Sequence, residues 1–144
     1  MSSSLFLSWR LAVLWIGLVV VVEAAPPPEL RPVSNPMPAM PAGVVDVSTV
    51  STPPVPVSQA RPRYPVELRQ AGVRGEAGML LVVSTAGKVT DATVIRATDE
   101  RFGSAAREAV LKWTFKPAQR NGAPVACRLY VPIVFAVGAR VESR

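Results

Sequence analysis

Three patterns of hydrophobic and polar positions succeed one another along the chain. The first is an unbroken apolar run from Leu11 to Val22, preceded by Arg10 and followed by Glu23-Ala24-Ala25. The second, residues 26–60, has no sustained period and holds ten prolines in 35 residues, which forbids helix and favours extended polyproline II. The third, residues 61–137, alternates between strand and helix periods and is the part able to bury a core. Residues 138–144 form a short tail.

Within 61–137 the elements follow from spacing. Pro65 suits a first helical position, and Val66 to Ala71 followed by Gly72 predicts a short helix with its stop signal. From Gly75, the residues Ala77, Met79, Leu81 and Val83 share one face of a strand. Leu80 and Val82 lie on the other face and are also apolar, which predicts a central strand or one covered on both sides. Thr85-Ala86-Gly87-Lys88 turns the chain, and Val89 to Ala97 returns with Ala92 and Val94 facing inward. Phe102, Ala106, Ala109, Val110 and Trp113 recur at helical spacing, with Thr98 or Asp99 as the cap. Phe115 to Ala118 is expected to be an extended link.

Asn121-Gly122 supplies the two positive-φ positions of a type I′ turn. Beyond it Val125, Cys127, Leu129, Val131, Ile133 and Phe135 fall on one face, with Ala126, Arg128, Tyr130, Pro132 and Val134 on the other. Pro132 donates nothing to a ladder, so this long strand is expected at a sheet edge with its outer rim vacant. The order α-β-β-α-β predicts an α+β fold: a small three-stranded antiparallel sheet with two helices on one face. Val44 to Val50 is β-prone, but no helix or turn signal surrounds it, and it is assigned to the proline-rich linker.

The apolar run changes the picture of location. Twelve residues suit a signal-peptide core better than a spanning helix, and Val22 and Ala24 fit the small-residue positions before a cut after Ala24. The longer run from Leu5 to Val22 nearly spans a bilayer if Arg10 snorkels to the interface. Signal peptide and membrane anchor therefore both stand for residues 1–25. Either route carries the remainder across the membrane, to the outer compartment.

Composition excludes more than it identifies. Histidine is absent, and with it the commonest metal ligand and neutral-pH general base. There is no Gly-x-Ser-x-Gly elbow, phosphate loop or carboxylate pair in a plausible pocket, so no catalytic residues, cofactor or metal are expected. Asp99-Glu100 sits at a helix start, where acidic groups serve the macrodipole. The net charge of +6 rises to +7 from Arg61 onward, 14 Lys/Arg against 7 Asp/Glu. These cations are scattered singly, which reads as a solvated basic surface and not as a nucleic-acid reader. Cys127 is the only cysteine and sits on an apolar face, which favours a small buried hydrophobe over the alternative of a reactive thiol.

Taken in order, Tyr64-Pro65, Gly75, Gly87-Lys88-Val89, Phe102, Ala106, Ala109, Trp113-Thr114-Phe115-Lys116-Pro117-Ala118, Asn121-Gly122-Ala123-Pro124-Val125 and Val131-Pro132-Ile133-Val134-Phe135 resemble the TonB C-terminal domain family. The match covers roughly residues 61–137, and the layout of apolar segment, proline-rich spacer and terminal domain agrees with it. The resemblance implies an envelope protein whose terminal domain grips the TonB box of a TonB-dependent outer-membrane receptor. It further implies ExbB/ExbD-type motor proteins acting on a membrane anchor, and uptake of siderophores, cobalamin or other large substrates. A periplasmic adaptor released by signal cleavage, using the same strand edge without a motor, is the alternative.

Carried onto this chain, the family's partner-binding strand falls at Ala126, Arg128, Tyr130 and Val131, acting through backbone groups, with Arg63, Tyr64 and Pro65 as a second contact. Tyr64 can equally cap the core, and Arg128 and Tyr130 can equally belong to a solvated face. Open strand edges also invite homodimers by exchange.

Overall fold

The protein is described by a computed structural model over residues 26–138. Both readings of residues 1–25, and the tail beyond Gly138, lie outside the described residues. Among those described, no helix is long and apolar enough to cross a membrane. The strands are β1 (Val33–Ser34), β2 (Val44–Asp46), β3 (Val55–Ser58), β4 (Gly75–Val83), β5 (Val89–Ala97), β6 (Thr114–Lys116), β7 (Ala118–Arg120) and β8 (Ala123–Phe135). The helices are α1 (Val66–Gln70) and α2 (Glu100–Val110).

The centre of the sheet is as the alternation predicts. β4 lies between β5 and β8, antiparallel to both, with Leu81 opposite Ala92 on one side and Leu129 on the other. Its Ala77, Met79, Leu81 and Val83 are buried on the face that carries the core, together with Cys127, Ile133 and Phe135 of β8. α2 packs against β4 and β5 and contributes Phe102, Ala106 and Val110 to that core, while α1 contributes Leu68. The last strand thus divides its faces as its period-two pattern requires: Pro132 and Val134, on the other face, are exposed.

Local signals explain where elements begin and end. Asp99 is the N-cap of α2, its carboxylate accepting from the Arg101 backbone N–H at 2.9 Å, and Glu100 in the first turn complements the helix dipole. Pro65 flanks α1 as its N-cap instead of opening its first turn, and Gly72 ends the turn at φ 68°. Asn121 and Gly122, at φ 52° and 80°, make the two-residue turn between β7 and β8. Gly87 is at φ 80°, and a Cβ there would lie 1.8 Å from the Phe115 carbonyl oxygen, so only glycine allows the β4–β5 hairpin to meet β6.

The sheet is larger than the three strands expected. It has six, in the order β1-β5-β4-β8-β2, with β7 also paired to β8; β3 and β6 form a separate antiparallel pair. The added strands are two to four residues long, too short for alternation to reveal. Three of them lie in residues 26–60. β1 adds to the free edge of β5, with Val33 opposite Ala97. β2 adds in parallel to the edge of β8 away from β4, pairing Val44, Val45 and Asp46 with Ala126, Cys127 and Arg128.

β1 and β2 therefore sit on opposite edges, and residues 35–43 must cross the sheet between them. Four strand spacings of roughly 4.8 Å make about 19 Å, within reach of nine extended residues at ~3.3 Å each. The crossing lies on the face opposite α2, because Arg128, whose side chain is on that face, donates from Nη1 to the Pro38 carbonyl at 3.0 Å. Leu80 and Val82, pointing to the same face, are only 6% and 7% exposed. The proline-rich segment thus forms a strap around the folded unit.

Both ends of the strap are fastened. The Arg31 backbone N–H donates to Asp99 Oδ2 at 2.8 Å, and the Glu100 N–H returns a bond to the Arg31 carbonyl, also 2.8 Å. At the far end the Trp113 indole N–H donates to the Ala60 carbonyl at 2.8 Å. Prolines supply no competing local ladder along this path, so its short runs of β-branched residues pair with distant strand edges instead.

Candidate strand-capture site

β8 runs for thirteen residues, and its edge away from β4 is not uniform. Opposite Ala126–Arg128 that edge is filled by β2. From Leu129 to Phe135 β8 pairs only with β4, and no other strand among the described residues pairs with it. The expectation of a wholly vacant rim is therefore corrected: the first part is occupied by the chain itself, and Leu129–Phe135 has no second strand partner among the described residues, although the 3-10 turn Val47–Thr49 lies against β8. Pairing of Val44–Asp46 was invisible locally because its partner lies about eighty residues away, although the β-prone run Val44 to Val50 was the available signal.

The expected contact residues fall into different surroundings. Ala126 faces the sheet side crossed by the strap and is paired to Val44 through its backbone. Arg128 is held under the strap: Nη1 bonds the Pro38 carbonyl, and Nη2 lies 4.0 Å from Asp46 Oδ2. Its Nε is buried with no acceptor among the described residues. Asp46 accepts from Ser48 N–H and Oγ at 3.0 and 2.7 Å, which starts the turn of 3-10 helix at Val47–Thr49. These Ser48 bonds, with a smaller pull from Arg128, hold its carboxyl below the usual carboxylate range.

Tyr130 lies half out of the face. Its ring crosses Gly78 of β4, where a Cβ would meet the hydroxyl oxygen at 1.9 Å. The hydroxyl accepts from Arg96 Nε at 3.1 Å, and Arg96 Nη2 pairs with Glu76 Oε1 at 3.1 Å. The bond to Tyr130 is the main reason the guanidinium holds its proton more firmly than usual. Val131 is half-buried and packs against the core, in the open part of the edge. Gly78 is the residue that sequence reasoning missed here; an isolated glycine inside an apolar strand was the clue to a close approach.

The second expected contact sits elsewhere. Tyr64 stands edge-on to Phe102 and Phe135, each with ring centroids 5.6 Å away, and its hydroxyl donates to the Val73 carbonyl. It caps the core and fastens the loop after α1. With Arg63, Pro65, Ser104 and Glu108 it lines a shallow cleft of about 220 Å³ between α1 and α2. The structure thus keeps Ala126, Arg128, Tyr130 and Val131 together on one strand and sets Arg63, Tyr64 and Pro65 apart from them. Cys127 is fully buried opposite Val45, and burial raises its thiol pKa, as befits a packing residue.

The sequence model of the family described as Gram-negative bacterial TonB protein C-terminal matches residues 60–137. The chain belongs to this family. Protein TonB of Xanthomonas campestris pv. campestris (strain B100) is 34% identical over 94 residues, covering 65% of this chain and 39% of that protein. Protein TonB of Yersinia enterocolitica is 29% identical over 117 residues, covering 80% of this chain and 43% of that protein. The chain thus spans about two fifths of the length of these curated TonB relatives. The solution NMR structure of the Pseudomonas aeruginosa TonB CTD aligns at a TM-score of 0.46 with 26% identity, covering 63% of this chain and 89% of that one.

Proposed function

We propose that this TonB-family chain is an envelope component that grips an extended segment of a TonB-dependent outer-membrane receptor by strand addition at β8. The observation that carries this reading is the edge itself. Among the described residues, Leu129–Phe135 offers a row of backbone groups with a strand partner on one side only, and the neighbouring Ala126–Arg128 already holds an added strand in parallel. Peptides captured in this way gain several backbone hydrogen bonds together, and side chains at alternate positions add selectivity. Residues 1–25 serve as an inner-membrane anchor on which ExbB/ExbD-type motor proteins act, and tension reaches the receptor through the captured strand. A row of bonds loaded side by side resists that tension better than bonds broken one at a time.

The test is titration of the chain with TonB-box peptides from the host's own outer-membrane receptors, followed by amide NMR. Binding peptides are expected to shift the amide signals of Leu129–Phe135 and to leave those of α1 and the Tyr64 cleft unmoved. If no receptor segment binds, or if the shifts gather at the cleft, the reading is lost. Mass analysis of the mature N-terminus separates the anchored form, with Met1 retained, from a released adaptor.

A further inference from the structure

We propose that residues 35–50 of the strap are an internal competitor for the capture edge: Val44–Asp46 holds part of it at rest and is displaced when an extended segment is taken up. This regulation rests on the strand capture proposed above, since it concerns the same edge. Its first support is position. β2 occupies the outer edge of β8 at Ala126–Arg128, directly beside the open stretch, so an incoming strand longer than that stretch runs into it. The strap cannot extend its own pairing past Arg128, because Asp46 turns the chain into the 3-10 helix.

The second support is how lightly the strap is held. Although Val45 and Val50 pack partly against the core and the crossing covers Leu80 and Val82, no residue from 26 to 60 is itself buried, whereas seven consecutive residues of β4, Ala77 to Val83, are. Segments with few buried apolar contacts open locally at a fraction of the global unfolding free energy. Met37 and Met40, within the crossing, remain exposed. The third support is Arg128. With the strap docked, its guanidinium reaches one carbonyl and a carboxylate at 4.0 Å while its Nε is buried without an acceptor among the described residues. A docked state that strands a donor is easier to leave. Opening at residues 35–50 need not release Arg31 or Ala60, whose bonds to Asp99 and Trp113 lie outside the crossing.

The register provides a lock. Val45 is the partner of Cys127, the only native cysteine, so Val45→Cys places two thiols opposite each other. The full chain in detergent is tested with a fluorescent peptide of its own residues 43–50. The reduced variant is expected to bind like the wild type, and the variant oxidised with glutathione disulfide at least tenfold more weakly. A strap-weakened chain, Val44→Gly with Asp46→Ala, is expected to bind at least tenfold more tightly than wild type. Equal binding by locked, native and weakened chains, including no binding by any, overturns the proposal.

Hydrogen exchange on the unaltered chain gives a second arm that needs no variant. The amides of Val44–Asp46 are expected to exchange at least a hundredfold faster than those of β4, and equal rates overturn the proposal. Receptor peptides separate the two ideas. If the lock and exchange behave as expected while no receptor segment binds, the strap stands as a gate and the receptor reading alone falls.

Discussion

At the scale of single residues, Gly78 and Asp99 set two local arrangements that hydrophobic pattern does not reveal. Gly78 leaves room for the hydroxyl end of the Tyr130 ring over β4, where the hydroxyl meets Arg96. In Gly78→Ala the new methyl drives the ring outward and breaks that bond; because the ring can swing away, the expected cost is about 1–2 kcal/mol, at the lower end of overpacking effects. Urea melts check this, and the effect is expected to shrink by more than half in a Tyr130→Ala background, where nothing remains to displace. Asp99 is fully buried and accepts from Arg101 and from the Arg31 backbone. The Arg101 side-chain bond, chiefly, lowers its pKa to about 2. A depressed carboxyl stabilises the fold above its unfolded pKa of ~3.9 and loses that contribution as pH falls toward the folded value. About 2 kcal/mol is expected to disappear between roughly pH 5 and 2, and Asp99→Asn is expected to flatten that part of a pH–stability curve measured by denaturant unfolding.

Elements show how far the sequence could be read and where it stopped. β4, β5, α2 and β8 were legible because each is nine or more residues long and repeats its pattern several times. Asn121-Gly122 and Asp99 fixed a turn and a cap by their own chemistry. The short strands were not legible, because two to four residues are too few to show a period and their pairing is decided by distant edges. The same limit applies to the candidate site: alternation gave the faces of β8 correctly, but not the strand that shares its rim. On sequence alone Tyr64 fits both core and partner, because an aromatic residue before a helix serves either role, and only the Phe102 and Phe135 rings beside it decide. Those faces predict opposite outcomes for two aromatic truncations on one strand. Phe135 is 4% exposed, with its ring centroid 4.6 Å from that of Phe102, so Phe135→Ala is expected to cost about 3–5 kcal/mol in thermal or urea unfolding. Tyr130→Ala, on the half-open face, is expected to cost under about 1.5 kcal/mol and to weaken peptide capture. The reverse order of stabilities would mean the faces are inverted.

For the molecule as a whole, the segment that sets reach also covers part of the edge at which capture is proposed. Ten prolines make residues 26–60 a spacer that, if free, extends at about 3.1 Å per residue to roughly 110 Å. Wrapped on the folded unit, the same residues span only the girth of a small sheet and cover part of β8. A strap held at Arg31, at both sheet edges and at Ala60 is therefore short and partly self-occluding, and an unwrapped one is long and open. Tension applied at the N-terminal side acts on the strap before it reaches β4 or β5, because the strap precedes them in the chain and buries none of its residues. Pulling the full chain between its two ends in an optical trap is expected to give two ruptures. The first, at the lower force, is expected to lengthen the chain by roughly 100 Å, the extended length of about 30 residues, less the distance they already span. The second, at higher force, unfolds the antiparallel core of β4, β5 and β8. Asp99→Ala, which removes the acceptor for the Arg31 backbone N–H, is expected to lower the first rupture force more than the second. A single cooperative rupture with no early lengthening would make the strap an integral part of the core and remove the coupling between reach and capture.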